Sequence, residues 1–166
     1  MRTFIIAAIS VDGFIGRNSG HTSLEWTSAE DKKLFVRLTK EAGTIVMGSR
    51  TFATIGKALP GRRTIVLTSN PDSITAEGVE ATSESAPELL DRLEAEGVEV
   101  LAVCGGASVY AQFMAAGIVD ELYITVEPIV FGSGVPLFSG ELEVDLHLLG
   151  TEKLNNETIL LHYNVM

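Results

Sequence analysis

The 166-residue chain has little of several things that would otherwise steer its reading. It has one cysteine, Cys104, so no internal disulfide can form, and a lone thiol in an apolar run points to a reducing, cytoplasmic setting. Basic residues are few: 12 Lys and Arg stand against 22 Asp and Glu, a net charge of -10. That argues against nucleic acid or an anionic membrane surface as partner, because phosphate backbones need clustered cations. A small phosphorylated ligand needs only one local positive site and is not excluded. No apolar run approaches the roughly 20 residues of a membrane helix. The N-terminus has one positive charge and too short an apolar stretch for a signal peptide. The histidines, His21, His147 and His162, are far apart and no metal-ligand spacing occurs, so no metal is expected. Prolines and glycines are scattered rather than clustered, which leaves no linker and predicts one domain over 1–166.

What is present alternates. Residues 4–9 form a continuous apolar run, the mark of a strand buried on both faces. A turn at 11–16 and a polar loop at 17–25 lead to a helix from Thr27 to about Glu41, with capping-box spacing at both Thr27/Glu30 and Ser28/Asp31. A strand at 44–47, a brief helix near 50–55 and a turn at 59–62 follow. Strands are then predicted at 63–67 and 79–81. Ser85-Ala86-Pro87-Glu88 opens a helix ending near Gly97. Strand 98–103, helix 108–116 and strand 121–127 come next. Two last strands, near 143–151 and 158–165, look antiparallel across Asn155-Asn156. The pattern predicts an α/β fold: a mostly parallel central sheet of about eight strands, an antiparallel C-terminal edge and helices on both faces. Such sheets bind ligands at the carboxyl ends of their strands.

Asp31 is the most informative residue. Leu34, Phe35 and Leu38 lie three, four and seven positions beyond it, so Asp31 opens the apolar face of its helix. One reading is a carboxylate at the positive end of the helix dipole. The other is a carboxyl aimed into an apolar cleft, where desolvation raises its pKa and suits it to holding a proton. Trp26, the only tryptophan, stands at the mouth of that helix, as a core anchor or a cleft wall. Two strand-to-helix turns, Gly48-Ser49-Arg50-Thr51 and Gly105-Gly106-Ala107-Ser108, offer free backbone N–H groups to an anion. Together with Thr68 and Ser69 they sketch an extended dinucleotide site. Arg62, after Leu59-Pro60-Gly61, is either solvated or a fork for a substrate carboxylate. No acyl-transfer nucleophile is arranged, and Cys104 reads as a small apolar wall.

Taken together these motifs resemble the dihydrofolate reductase family over about residues 3–140. Residues 5–16 are similar to its first strand and mobile loop. Trp26-Thr27-Ser28-Ala29-Glu30-Asp31-Lys32-Lys33-Leu34-Phe35 is similar to the segment with the active-site tryptophan, acid and pterin-stacking phenylalanine. The resemblance implies Asp31, Thr125 and Trp26 as catalytic residues. It implies Ile6, Ala8, Leu24, Phe35, Ile55, Leu59, Arg62 and Cys104 around the substrate, with Arg62 on the folate glutamate. It implies NADPH as cofactor, held by Ala8, Ile15, Gly16, Gly48, Ser49, Arg50, Thr51, Leu67, Thr68, Ser69, Cys104, Gly105, Gly106, Ala107, Ser108, Val109 and Tyr110. A monomer with dihydrofolate and NADPH as its small-molecule partners is expected.

The chain departs from that pattern in four places. Ser49 stands where a basic residue is usual, with Arg50 one place later. The loop before Trp26 is longer and carries Leu24 where a methionine is common. The second turn reads Gly-Gly-Ala rather than three glycines. Residues 127–138, and Ser10-Val11-Asp12-Gly13, look more like the reductase domain of riboflavin biosynthesis, which implies a phosphoribosylaminopyrimidine as the alternative substrate.

Overall fold

The computed structural model describes all 166 residues. The first strand, β1 (Arg2–Ile9), lies near the middle of an eight-stranded sheet. Its residues from Phe4 to Ala7 are buried on both faces, as a run without polar alternation requires. A short strand, β2 (Phe14–Gly16), precedes a single 3-10 turn at Ser23–Glu25 and helix α1 (Ala29–Ala42). Of the two candidate capping pairs, Ser28 is the cap: its hydroxyl accepts the Asp31 N–H. Thr27 instead turns its hydroxyl back to the Ser23 carbonyl, so the helix starts two residues later than predicted. It ends at Gly43, whose φ of +78° is the left-handed cap only glycine adopts cheaply.

Then come β3 (Thr44–Gly48), α2 (Ser49–Ile55), β4 (Arg63–Leu67), β5 (Val79–Thr82), α3 (Ala86–Ala95), β6 (Val100–Val103), α4 (Ala107–Ala115) and β7 (Glu121–Val126). The capping box predicted at Ser85 and Glu88 forms in both directions. β6 starts at Val100 rather than at 98, because the Val98 N–H closes the end of α3 on Leu93. The chain finishes with β8 (Val135–Pro136), β9 (Leu146–Lys153) and β10 (Ile159–Val165). The expected hairpin across Asn155-Asn156 is β9–β10, with β9 shifted a few residues toward the turn.

Sheet order is β5-β4-β3-β6-β1-β7-β10-β9. The first six strands are parallel; β10 runs antiparallel to both β7 and β9. Helices α1 and α2 pack on one face through Leu34, Leu38 and Phe52. Helices α3 and α4 pack on the other through Leu89, Leu93, Val109 and Phe113. The second, two-stranded sheet β2–β8 was not predicted. Two- and three-residue strands carry no periodicity to read. No helix is long and apolar enough to cross a membrane.

Candidate active site

The carboxyl ends of β1, β3, β4 and β6 open on one cavity of about 1100 Å³. Its apolar wall holds Ile6, Ala8, Phe35, Ile55, Leu59 and Cys104, with Leu24 over the mouth. Burial pushes the Cys104 thiol up to about 12, so it serves as packing rather than as a nucleophile.

Asp31 lies in this wall and is only 8% exposed. Asp31 stands in the first turn of α1 and is at the same time buried in the cavity wall, so the helix-end place and the apolar-cleft place are one position. Burial pushes the Asp31 carboxyl up to about 6. The Thr125 hydroxyl, on β7, faces the carboxyl and works against that rise, but stops short of a hydrogen bond: Thr125 Oγ1 is buried without any partner. The nearby negative charge of Glu127 raises Asp31 further, and Lys32 opposes it.

Glu127 is one of the residues that sequence reasoning missed. It and Asp31 are the only acidic or basic residues with buried side chains in the chain. Glu127 Oε1 accepts both the Ser28 N–H at 3.0 Å and the Ser28 hydroxyl at 2.8 Å, and Oε2 accepts the Thr158 hydroxyl at 3.1 Å. The one local signal was an acid followed by proline directly after a strand, at the ligand end of the sheet.

Two glycine turns form the other end of the cavity. Gly48 and Gly106 are the N-caps of α2 and α4, and neither helix has a side-chain cap, so both present free N–H groups. A Cβ on Gly48 would come within 3.0 Å of Val109 Cγ2, and one on Gly106 within 3.2 Å of Thr51 Oγ1. The peptide between Gly105 and Gly106 is cis. This cradle has the bareness and the donors that a pyrophosphate requires. Ser49, Arg50, Thr51, Leu67, Thr68, Ser69, Ala107, Ser108, Val109 and Tyr110 line the cavity, as do Ile15 and Gly16. Arg50 is exposed and makes no ion pair or hydrogen bond. Ser83 and Glu84, not anticipated, also face this end; Arg92 holds the Glu84 carboxyl down at about 2.

Two expected residues stand apart from the lining. Thr125 lies behind Asp31. Trp26 packs its ring edge-on to Phe131 at 5.1 Å and against His21 at 6.3 Å, with Nε1 buried and unpartnered. It is therefore a prop for the 17–25 loop rather than a wall of the cavity. Arg62 is at the rim, its Nε on the Pro60 carbonyl and its Nη1 on the Thr39 hydroxyl. Three of its five N–H groups remain for a ligand. Lys32 and Lys57 line the cavity as well.

Comparison with known proteins agrees with this geometry. The family profile described as dihydrofolate reductase matches residues 2–130. A Bacillus subtilis protein known only as YwjB is 31% identical over 98% of this chain and 97% of its own. The dihydrofolate reductase of Enterococcus faecalis, solved with NADP(H), superposes with a TM-score of 0.79 at 32% identity, over 99% of this chain and 96% of that one. A Shewanella sp. PV-4 protein named for riboflavin biosynthesis has a TM-score of 0.84 at 22% identity, over 100% and 99% of the two chains; this likeness is one of fold. With its sheet order, its paired glycine turns and its buried acid in place, the chain belongs to the dihydrofolate reductase family of oxidoreductases.

Proposed function

We propose that the chain reduces dihydrofolate to tetrahydrofolate with NADPH. One observation carries the reading: a buried carboxyl, Asp31, in the apolar wall of a cavity whose other end is an uncapped double glycine turn. The pyrophosphate would lie on the N–H groups of the Gly48 and Gly105-Gly106 turns. Arg50, Thr68 and Ser69 would hold the adenosine phosphate, Arg50 being free to do so. The reduced nicotinamide, when bound, supplies a hydride. The protein's part is position and field.

With its pKa near 6, Asp31 holds a proton on a fraction of molecules at neutral pH. Its Oδ atoms suit the amino and ring N–H groups of a pterin, and the carboxyl favours the protonated form of the imine nitrogen being reduced. Thr125, with an unspent hydroxyl beside it, would donate to the carboxyl and orient it when the site closes on a ligand. Phe35 and the aliphatic wall cover the ring and exclude water, which strengthens the Asp31 interaction. Arg62 offers its free N–H groups to the glutamate carboxylates. The loop over 17–25 covers the mouth through Leu24.

A second reading keeps the cofactor and changes the substrate to a phosphoribosylaminopyrimidine. It is favoured by Lys32 and Lys57, which give the cavity a basic group able to hold a ribose phosphate. One assay separates the two: follow NADPH absorbance with dihydrofolate and then with the pyrimidine. Oxidation with dihydrofolate is expected. Oxidation with the pyrimidine alone overturns the folate reading.

A further inference from the structure

Glu127 has no part in the reaction outlined above, yet it is 2% exposed and sits at the ligand end of the sheet. Burying a carboxylate is costly unless each oxygen is satisfied. Here the Ser28 N–H and the hydroxyls of Ser28 and Thr158, three donors, satisfy its two oxygens. Two of the donors belong to Ser28, the N-cap of α1. The third, Thr158, is on the segment leading into β10. The Glu127 N–H is itself fixed, donating to the Ile9 carbonyl at the end of β1.

The Ser28 hydroxyl has one proton and commits it to Glu127 at 2.8 Å. Its lone pair is then free for the Asp31 N–H, at 3.1 Å. The start of α1 is thus clamped between a buried anion and the residue that the proposed reaction uses. A second clamp lies outside it, where Asn155 of the β9–β10 turn donates to Glu30 at 3.2 Å.

We propose that Glu127 is a positioning residue for Asp31: through Ser28 it fixes the start of α1 against the end of β7, and it sets its negative charge against the Asp31 carboxyl. Deepening the folate reading, the proposal rests on that reading only for its kinetic arm. The other groups acting on Asp31 are Lys32 on α1, which favours ionisation, the Thr125 hydroxyl on β7, which does the same, and the Tyr110 phenol on α4, which stays neutral because burial pushes its pKa far up. Glu127 is the one anion among them.

The test is Glu127→Gln, which keeps the shape and an acceptor for Ser28 but removes the charge. In the ligand-free protein, the Asp31 carboxyl carbon is titrated by ¹³C NMR, with Asp31→Asn giving its assignment. The Asp31 midpoint is expected to fall by about half a unit to one unit. At neutral pH the turnover with dihydrofolate is expected to fall roughly three- to tenfold in step, as the protonated fraction does. The KM for NADPH stays as it was. Glu127→Asp, which restores the charge, should bring the midpoint back toward wild type. A folded Glu127→Gln protein whose Asp31 titrates as before overturns the proposal and leaves Glu127 a structural clamp. Should that variant not fold, Ser28→Ala breaks the same link with both carboxyls kept; turnover and KM for dihydrofolate unchanged in it are likewise fatal. The NMR arm uses no substrate, so a chain inactive on dihydrofolate would sink the folate reading without touching this one.

Discussion

The Gly48 N–H donates to the Gly105 carbonyl at 2.8 Å, so the turns that open α2 and α4 are one structure rather than two. Gly105 is held at a φ of +115°, and a Cβ there would meet the Tyr110 hydroxyl at 3.2 Å. That hydroxyl cannot yield readily, because it donates to the Ile6 carbonyl at 2.7 Å inside the core. Gly105→Ala therefore combines about 1–3 kcal/mol of backbone strain with a displaced cradle. NADPH affinity, measured by fluorescence titration, should weaken by at least about tenfold, with a lower melting temperature. Unchanged affinity would remove the turn from the cofactor site.

Asp31→Asn separates function from stability. The Asp31 pKa is raised from the ordinary 3.8 to about 6, so the folded state is penalised for ionising it. The contribution is complete below pH 3.8, falls as pH rises through 6, and is gone above that. Asparagine carries no such penalty. The variant should match wild type in urea unfolding near pH 4 and gain up to about 3 kcal/mol by pH 8. Turnover should drop by orders of magnitude at every pH. Equal stability at pH 8 would show that Asp31 is solvated in the folded protein.

How far the sequence could be read is clear from these two carboxyls. Asp31 was legible because its partners are local: the spacing to Leu34 and Leu38 fixes its helical face, and that face proved to be the buried one. Glu127 was not legible because its partner Ser28 is 99 residues away, and an acid at a strand end reads as a surface group. The same division holds elsewhere. The Ser85/Glu88 box, a local device, forms as predicted. The choice between Thr27 and Ser28 as cap depended on Glu127 and could not be made from spacing. Position alone leaves Trp26 either a core anchor or a cleft wall, and what decides it is Phe131, 105 positions on, against which its ring packs.

Arg62 makes a prediction about substrate rather than cofactor. Its Nε and Nη1 are spent on Pro60 and Thr39, which leaves a pre-set fork at the rim. Arg62→Lys keeps the charge and loses the fork. The KM for dihydrofolate should rise roughly 10- to 100-fold, while NADPH affinity stays put. A pteroate substrate without the glutamate should be insensitive to the change. A KM that does not move would place the substrate tail elsewhere, against Lys32 and Lys57.

Asp12 joins the turn after β1 to the loop after β7. It accepts the Ser10 hydroxyl at 2.6 Å, the Gly132 N–H at 2.7 Å and the Phe131 N–H at 3.2 Å. Those bonds, the Ser10 hydroxyl first, hold its carboxyl below the usual range, so the tether survives ordinary acidity. Phe131 in turn carries Trp26, His21 and the Arg17 guanidinium, which ties the whole 17–25 loop to this one carboxylate. Asp12→Asn loses one acceptor oxygen and should loosen the loop without unfolding the core. Trp26 fluorescence should change, and kcat/KM should fall by about tenfold as closure over the mouth becomes less frequent. Gly134→Ala is the harsher version. Gly134 has a φ of +157°, and a Cβ there would run into the Gly16 carbonyl, forcing β2 and β8 apart. If both variants keep wild-type turnover, the loop is a fixed cover and its tether has no part in the reaction.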